Sequence, residues 1–127
     1  MDDATFLGEL EAATLDPALF NHRAHIRAGF LILCEAQSFG DALKRMEQAI
    51  RRFAAAVGKD GLYHETIAVA FMALINERMA AGDATDWASF ETANPDLFDS
   101  RLLGRYYSKD FLALPGTRAT FHLPRVA

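Results

Sequence analysis

Leu62-Tyr63-His64-Glu65-Thr66 leads directly into Ile67-Ala68-Val69-Ala70-Phe71-Met72-Ala73-Leu74-Ile75, nine consecutive residues that are hydrophobic or alanine. No other segment of the chain is so wholly apolar. A helix that is apolar on every side belongs in the interior. This stretch therefore reads as the central helix of an all-α protein, running over about 63–81 and stopping at Gly82. A histidine and a glutamate stand at its entrance.

Outward from this helix, residues 39–57 carry the cleanest amphipathic pattern. Phe39, Ala42, Leu43, Met46, Ala49, Ile50, Phe53, Ala54 and Val57 form one stripe. Lys44, Arg45, Glu47, Gln48, Arg51 and Arg52 fill the other side, which reads as a solvated face with a Glu47–Arg51 pair at i,i+4. Ser38 is the expected N-cap and Gly58 the expected glycine past the C-terminus. Upstream, Asn21 caps a helix over 22–37, in which Ile26, Gly29, Phe30 and Leu33 recur at spacings of three and four. These three segments (22–37, 39–57 and 63–81) predict an up-down-up bundle in one domain, 1–127. A short helix over 5–13 precedes the bundle. Short helices over 86–93 and 95–103 follow it, each begun by a capping residue. Leu114-Pro115-Gly116-Thr117 reads as a turn, and 118–125 as an extended tail.

Bulk composition narrows the function. The chain has 127 residues, 51% hydrophobic and 24% charged, which suits one globular domain. A net charge of −4 argues against a general nucleic-acid binder. Nine apolar residues fall short of the roughly 20 needed to cross a bilayer. The acidic start lacks a secretory pattern, so the expected location is the cytoplasm. A single cysteine, Cys34, excludes an internal disulfide and reads as a small buried hydrophobe. There is no Gly-rich phosphate loop and no Cys-x-x-Cys pair.

The chemistry concentrates at helix entrances. Short connections make neighbouring helices antiparallel, so the first and third long helices run parallel and start at the same end. His22 and His25, three apart on one helix face, then come near His64 and Glu65. Imidazole is the commonest metal ligand, and a helix N-terminus favours its neutral, ligating form. Three histidines and a carboxylate suit zinc, or iron with open positions. Without a metal, the same group offers a general base or a pocket for a small anion at exposed helix N–H groups. Adjacent residues on a helix diverge by about 100°, so His64 and Glu65 do not both face one centre. Tyr63 reads as core or as a supporting donor. Tyr106 and Tyr107 seal the core and can bring a hydroxyl to a ligand, and His122 lies in the tail. In a contrasting reading the histidines are structural and the chain is an interaction module, a homodimer joined by an apolar face around Trp87 and Phe90.

Phe20-Asn21-His22-Arg23-Ala24-His25, Tyr63-His64-Glu65-Thr66 and Tyr106-Tyr107-Ser108 also resemble a pattern, F-x-H-x-x-H … Y-H-E-T … Y-Y-S, of a group of small bacterial helical proteins without an assigned activity. The resemblance covers about residues 15–125. It implies that His22, His25, Tyr63, His64 and Glu65 belong together, and it implies no reaction.

Overall fold

Every regular element is helical in the computed structural model, which describes residues 1–125. The central position of the apolar stretch holds. Helix α4 (Glu65–Ala81) buries Thr66, Ala68, Ala70, Phe71, Met72 and Ile75. It packs between α2 (His22–Glu35), α3 (Phe39–Ala56) and the C-terminal segments. Helix α1 (Asp3–Glu11) lies against α2 and α3. Asp2, Asn21 and Ser38 each accept a backbone N–H three residues on, satisfying donors that a helix start leaves open.

Two hydrophobic clusters share α2 and α4. Ala24, Ala28 and Ile32 of α2 turn toward one, with Phe6, Leu7 and Leu10 of α1, Met46 and Phe53 of α3, and Met72 of α4. Ile26 and Phe30 of α2 turn toward the other, with Phe71 and Ile75 of α4, Trp87 and Phe90 of α5 (Trp87–Ala93), and Leu97, Leu102, Leu103 and Tyr107. Gly29 lets the two shared helices meet. A Cβ there would stand 2.8 Å from Ile75 Cδ1 and 3.0 Å from Met72 Sδ.

The C-terminal third departs from the expected elements. Residues 95–103 form two 3-10 segments, Pro95–Phe98 and Ser100–Arg105, rather than one helix. The break falls at Asp99, whose carboxylate accepts from the Arg101 N–H at 2.9 Å and so starts the second segment. Helix α6 (Lys109–Leu112) is capped by Ser108, whose hydroxyl accepts from the Phe111 N–H at 3.1 Å. The expected turn at Leu114–Thr117 is instead the first turn of α7 (Pro115–Ala119), with proline at its start. The chain becomes extended only from Thr120 onward.

Two side-chain expectations also change. Cys34 is exposed, because it falls opposite the buried face set by Ala28 and Ile32. The arginines of α3 are more than a solvated face. Arg45 donates to Glu11 of α1 and to Glu35 of α2, tying three helices together, and Arg52 donates to the Glu11 carbonyl. The Glu47–Arg51 pair forms at 2.9 Å.

Candidate functional site

His64 is the N-cap of α4, not its first-turn residue. Its Nδ1 accepts from the Ile67 N–H at 3.2 Å, and its Nε2 donates to the Leu112 carbonyl at 2.8 Å. Those two bonds define one neutral tautomer, with the proton on Nε2. They also occupy both nitrogens. This imidazole joins the start of α4 to the C-terminal segment. The same junction is reinforced by Thr66, a fully buried hydroxyl lying 2.7 Å from the Thr117 carbonyl and 3.0 Å from that of Thr120. Thr66 also accepts from the His122 N–H at 3.1 Å. Arg118 donates to the carbonyls of Gly61 and Tyr63, and Tyr107 donates to the His122 carbonyl at 2.6 Å. The tail is therefore pinned through its backbone, and His122 is half-buried.

His22 sits at the start of α2 and donates through Nε2 to the Leu97 carbonyl at 2.9 Å. Its ring meets Phe71 edge-on at 5.0 Å. His25, one turn later, lies between the Phe20 and Phe71 rings, at 6.0 and 6.5 Å. Its Nε2 is sealed from solvent and has no hydrogen-bond partner. Burial, assisted by the nearby His22, pushes the His25 pKa down from 6.5 to about 4, so the ring is neutral at physiological pH.

His25 forms part of the wall of two cavities. The larger, about 640 Å³, lies between α2, α4 and the segment around Ser100–Lys109. Its apolar lining is Ile67, Phe71, Leu103, Tyr107 and Leu112, and its polar groups are His22, His25, Ser100, Arg101 and Lys109. That volume lies within the range of small-molecule sites. The smaller, about 310 Å³, lies between α2, α3 and α4. Phe20, Ile50, Phe53, Val57, Leu62 and Tyr63 make it largely apolar, and His25, His64 and Lys59 also line it.

The entrances of α2 and α4 thus meet, since His25 and His64 share the smaller cavity and His22 and His25 share the larger. The three imidazoles do not line one cavity together. Glu65 stands apart: Tyr63 donates to it at 3.3 Å, and burial with the adjacent Glu47 raises its carboxyl pKa. Burial likewise raises the Tyr63 phenol, whose ring lies 4.2 Å from the Arg51 guanidinium carbon. Among the described residues, no group of three His, Cys, Asp or Glu side chains converges on a point suited to a metal ion. Zinc or iron would need His64 to surrender its cap and Glu65 to leave Tyr63.

Tyr107 lines the larger cavity and, with Tyr106, a separate apolar groove beside Phe121 and Leu123; Tyr106 is exposed and does not reach the larger cavity. Trp87 and Phe90 are interior, 7% and 0% exposed, so they offer no face for a partner. Phe90 stacks on Phe30 at 4.6 Å, and Trp87 packs against it at a tilt, 5.7 Å away. Ser100, Arg101 and Lys109 carry no motif, and only the folding of the C-terminal segments onto α2 and α4 brings them to the site. Thr66 had one readable signal, a lone hydroxyl on a helix otherwise apolar at that level.

No family model, curated protein or solved structure matches the chain. Among the described residues no helix is long and apolar enough to cross a membrane.

Proposed function

We propose that the protein binds a small organic anion in the larger cavity, between His22, His25 and the Lys109 rim. The observation that carries this reading is His25: a neutral, unpartnered imidazole in the wall of a cavity of ligand size. A buried nitrogen left unpaired costs on the order of 1–3 kcal/mol. A ligand oxygen reached by a small rotation of the ring would recover that cost. Apolar walls with a few polar groups favour an anion with a hydrocarbon body. Arg101 is already held by Asp99 at 3.0 Å, so Lys109 is the rim cation best placed for the negative charge. A catalytic role is not needed for any of these features. Metal binding is the weaker reading, because both nitrogens of His64 are engaged.

The test is imidazole nitrogen NMR during titration with a panel of small carboxylates and phosphates at millimolar concentration. The expected result is a shift of the His22 and His25 signals, with His64 and His122 unmoved. His25→Phe should remove the binding while holding or raising the melting temperature, since it replaces an unpaired polar ring by an apolar one. A stable His25→Phe that binds as well as wild type, or a panel that moves neither ring, overturns the proposal.

A further inference from the structure

The smaller cavity, about 310 Å³, shares only His25 and Ile67 with the larger one, so those two side chains separate the cavities. Its volume falls at the lower end of the range for small-molecule sites. Aromatic rings make up much of its wall. Phe20 comes from the turn before α2, Phe53 from α3 and Tyr63 from the turn before α4, and the imidazoles of His25 and His64 join them. The Phe20 ring is tilted at 59° to that of Phe53, with centroids 5.0 Å apart, and lies nearly parallel to His25 at 6.0 Å. A planar ring packs edge-on or offset against such rings, and each pair is favourable beyond the area it buries.

The polar groups decide the charge of an occupant. Both His64 nitrogens are engaged, and Tyr63 turns its hydroxyl to Glu65. Lys59 is not spent in this way: it lines the cavity, is exposed, and forms no ion pair among the described residues. His64 and Ile67 also put the cavity at the start of α4, the positive end of the helix dipole. A cavity walled by rings can hold an organic cation against their faces. An unpaired lysine and a positive helix end select against a cation and for an anion. Leu62 is 66% exposed although it lines the cavity, so the rim beside the ammonium is apolar. We infer that the smaller cavity is a second binding site, for an aromatic carboxylate. The ring packs among Phe20, Phe53 and Tyr63, and the carboxylate meets Lys59 at the rim. This site goes beyond the anion site at His22 and His25 and does not depend on it.

The experiment is NMR titration of the full chain with phenylacetate, with cyclohexylacetate as its saturated counterpart, and with phenethylammonium as its cationic one. Phenylacetate should shift the ring signals of Phe20, Phe53 and Tyr63 and saturate them. Cyclohexylacetate should bind there about three- to tenfold more weakly, since it fills the space without the ring pairs. Phenethylammonium should leave these signals unmoved. Lys59→Met, a surface change that keeps the fold, should weaken phenylacetate by about fivefold at these signals. Val57→Phe should fill the cavity and abolish the response of Phe20 and Tyr63, while any response at Phe71 and Lys109 persists. The inference is overturned if Phe53 and Tyr63 do not respond to phenylacetate, if the saturated or cationic analogue binds as well, or if Lys59→Met binds like wild type. Shifts at Phe71 and Lys109 without any at Phe53 would overturn this second site and leave the larger one standing. Shifts at Phe53 and Tyr63 alone would do the reverse.

Discussion

The two hydrophobic clusters of this protein are assembled by different means. The cluster around Leu10, Met46 and Phe53 is built mainly from three helices of 9, 14 and 18 residues, α1, α2 and α3, each begun by a capping side chain, with Met72 added from α4. The cluster around Phe30, Phe90 and Leu97 is closed by segments of 4 to 7 residues. Long helices repeat their apolar pattern often enough for packing to be read from spacing alone. Short segments cannot, because isolated helices of that length are unstable in water. They are held by specific long-range bonds: Arg78 to Asp96 at 2.7 Å, His22 to Leu97, His64 to Leu112, and Thr66 to Thr117. The candidate site lies where these two kinds of construction meet.

The largest expected effect comes from asking whether the clusters unfold as one unit. Phe30 is almost fully buried in the second cluster, and Phe30→Ala should cost about 3–5 kcal/mol. Met46→Ala in the first should cost about 2–5 kcal/mol. Because α2 and α4 serve both clusters, each variant should keep a single denaturation transition. A second transition in calorimetry of Phe30→Ala would show that the halves are thermodynamically separate.

Acid sharpens the same comparison. Unfolded, His25 takes a proton near its ordinary 6.5; folded, it takes one only at about 4. Between those values the unfolded chain binds the extra proton. Stability is therefore fully present above 6.5 and falls with pH through this window, by about 3 kcal/mol for a shift of this size. Subtracting the pH profile of His25→Phe from that of wild type isolates this effect from the carboxylates. A difference that stays flat between pH 7 and 4 would refute the burial of a neutral ring.

Thr66→Val keeps side-chain shape but strips the hydroxyl that joins α4 to the C-terminal segment, at an expected cost of about 1–3 kcal/mol. The His122 amide, which donates to that hydroxyl, should lose hydrogen-exchange protection more than amides of α3. Equal loss everywhere would mean that the tail is no looser than the bundle. On the other side of the molecule, Ser38→Ala should cost about 1 kcal/mol through the lost cap of α3, measured by urea denaturation. The smallest effect belongs to Arg51→Ala, about 0.2–0.5 kcal/mol for its exposed pair with Glu47. A larger loss would assign additional weight to its stacking over Tyr63.

The periodicity of residues 22–57 and the unbroken apolar run at 67–75 were enough to define an all-α protein with a buried α4 and to bring the His22–His25 and His64 entrances to one end. Those features depend on local spacing and capping, which each segment carries within itself. The departures have a common origin. The spacing leaves His64 or Glu65 free to face the site, yet His64 is a capping residue that leaves helical backbone geometry, with φ −130° and ψ 112°, and its ring is spent on Ile67 and Leu112. By sequence Trp87 and Phe90 suit a core plug or a dimer patch, and it is packing against Phe30 that puts them in the core. Which imidazole is left unpaired, which cations reach the cavity rim, and which two side chains separate the cavities depend on contacts between residues far apart in the chain, as His22 and Leu97 are at 75 positions and His64 and Leu112 at 48. No local pattern encodes such distances, so only the packed chain decides them.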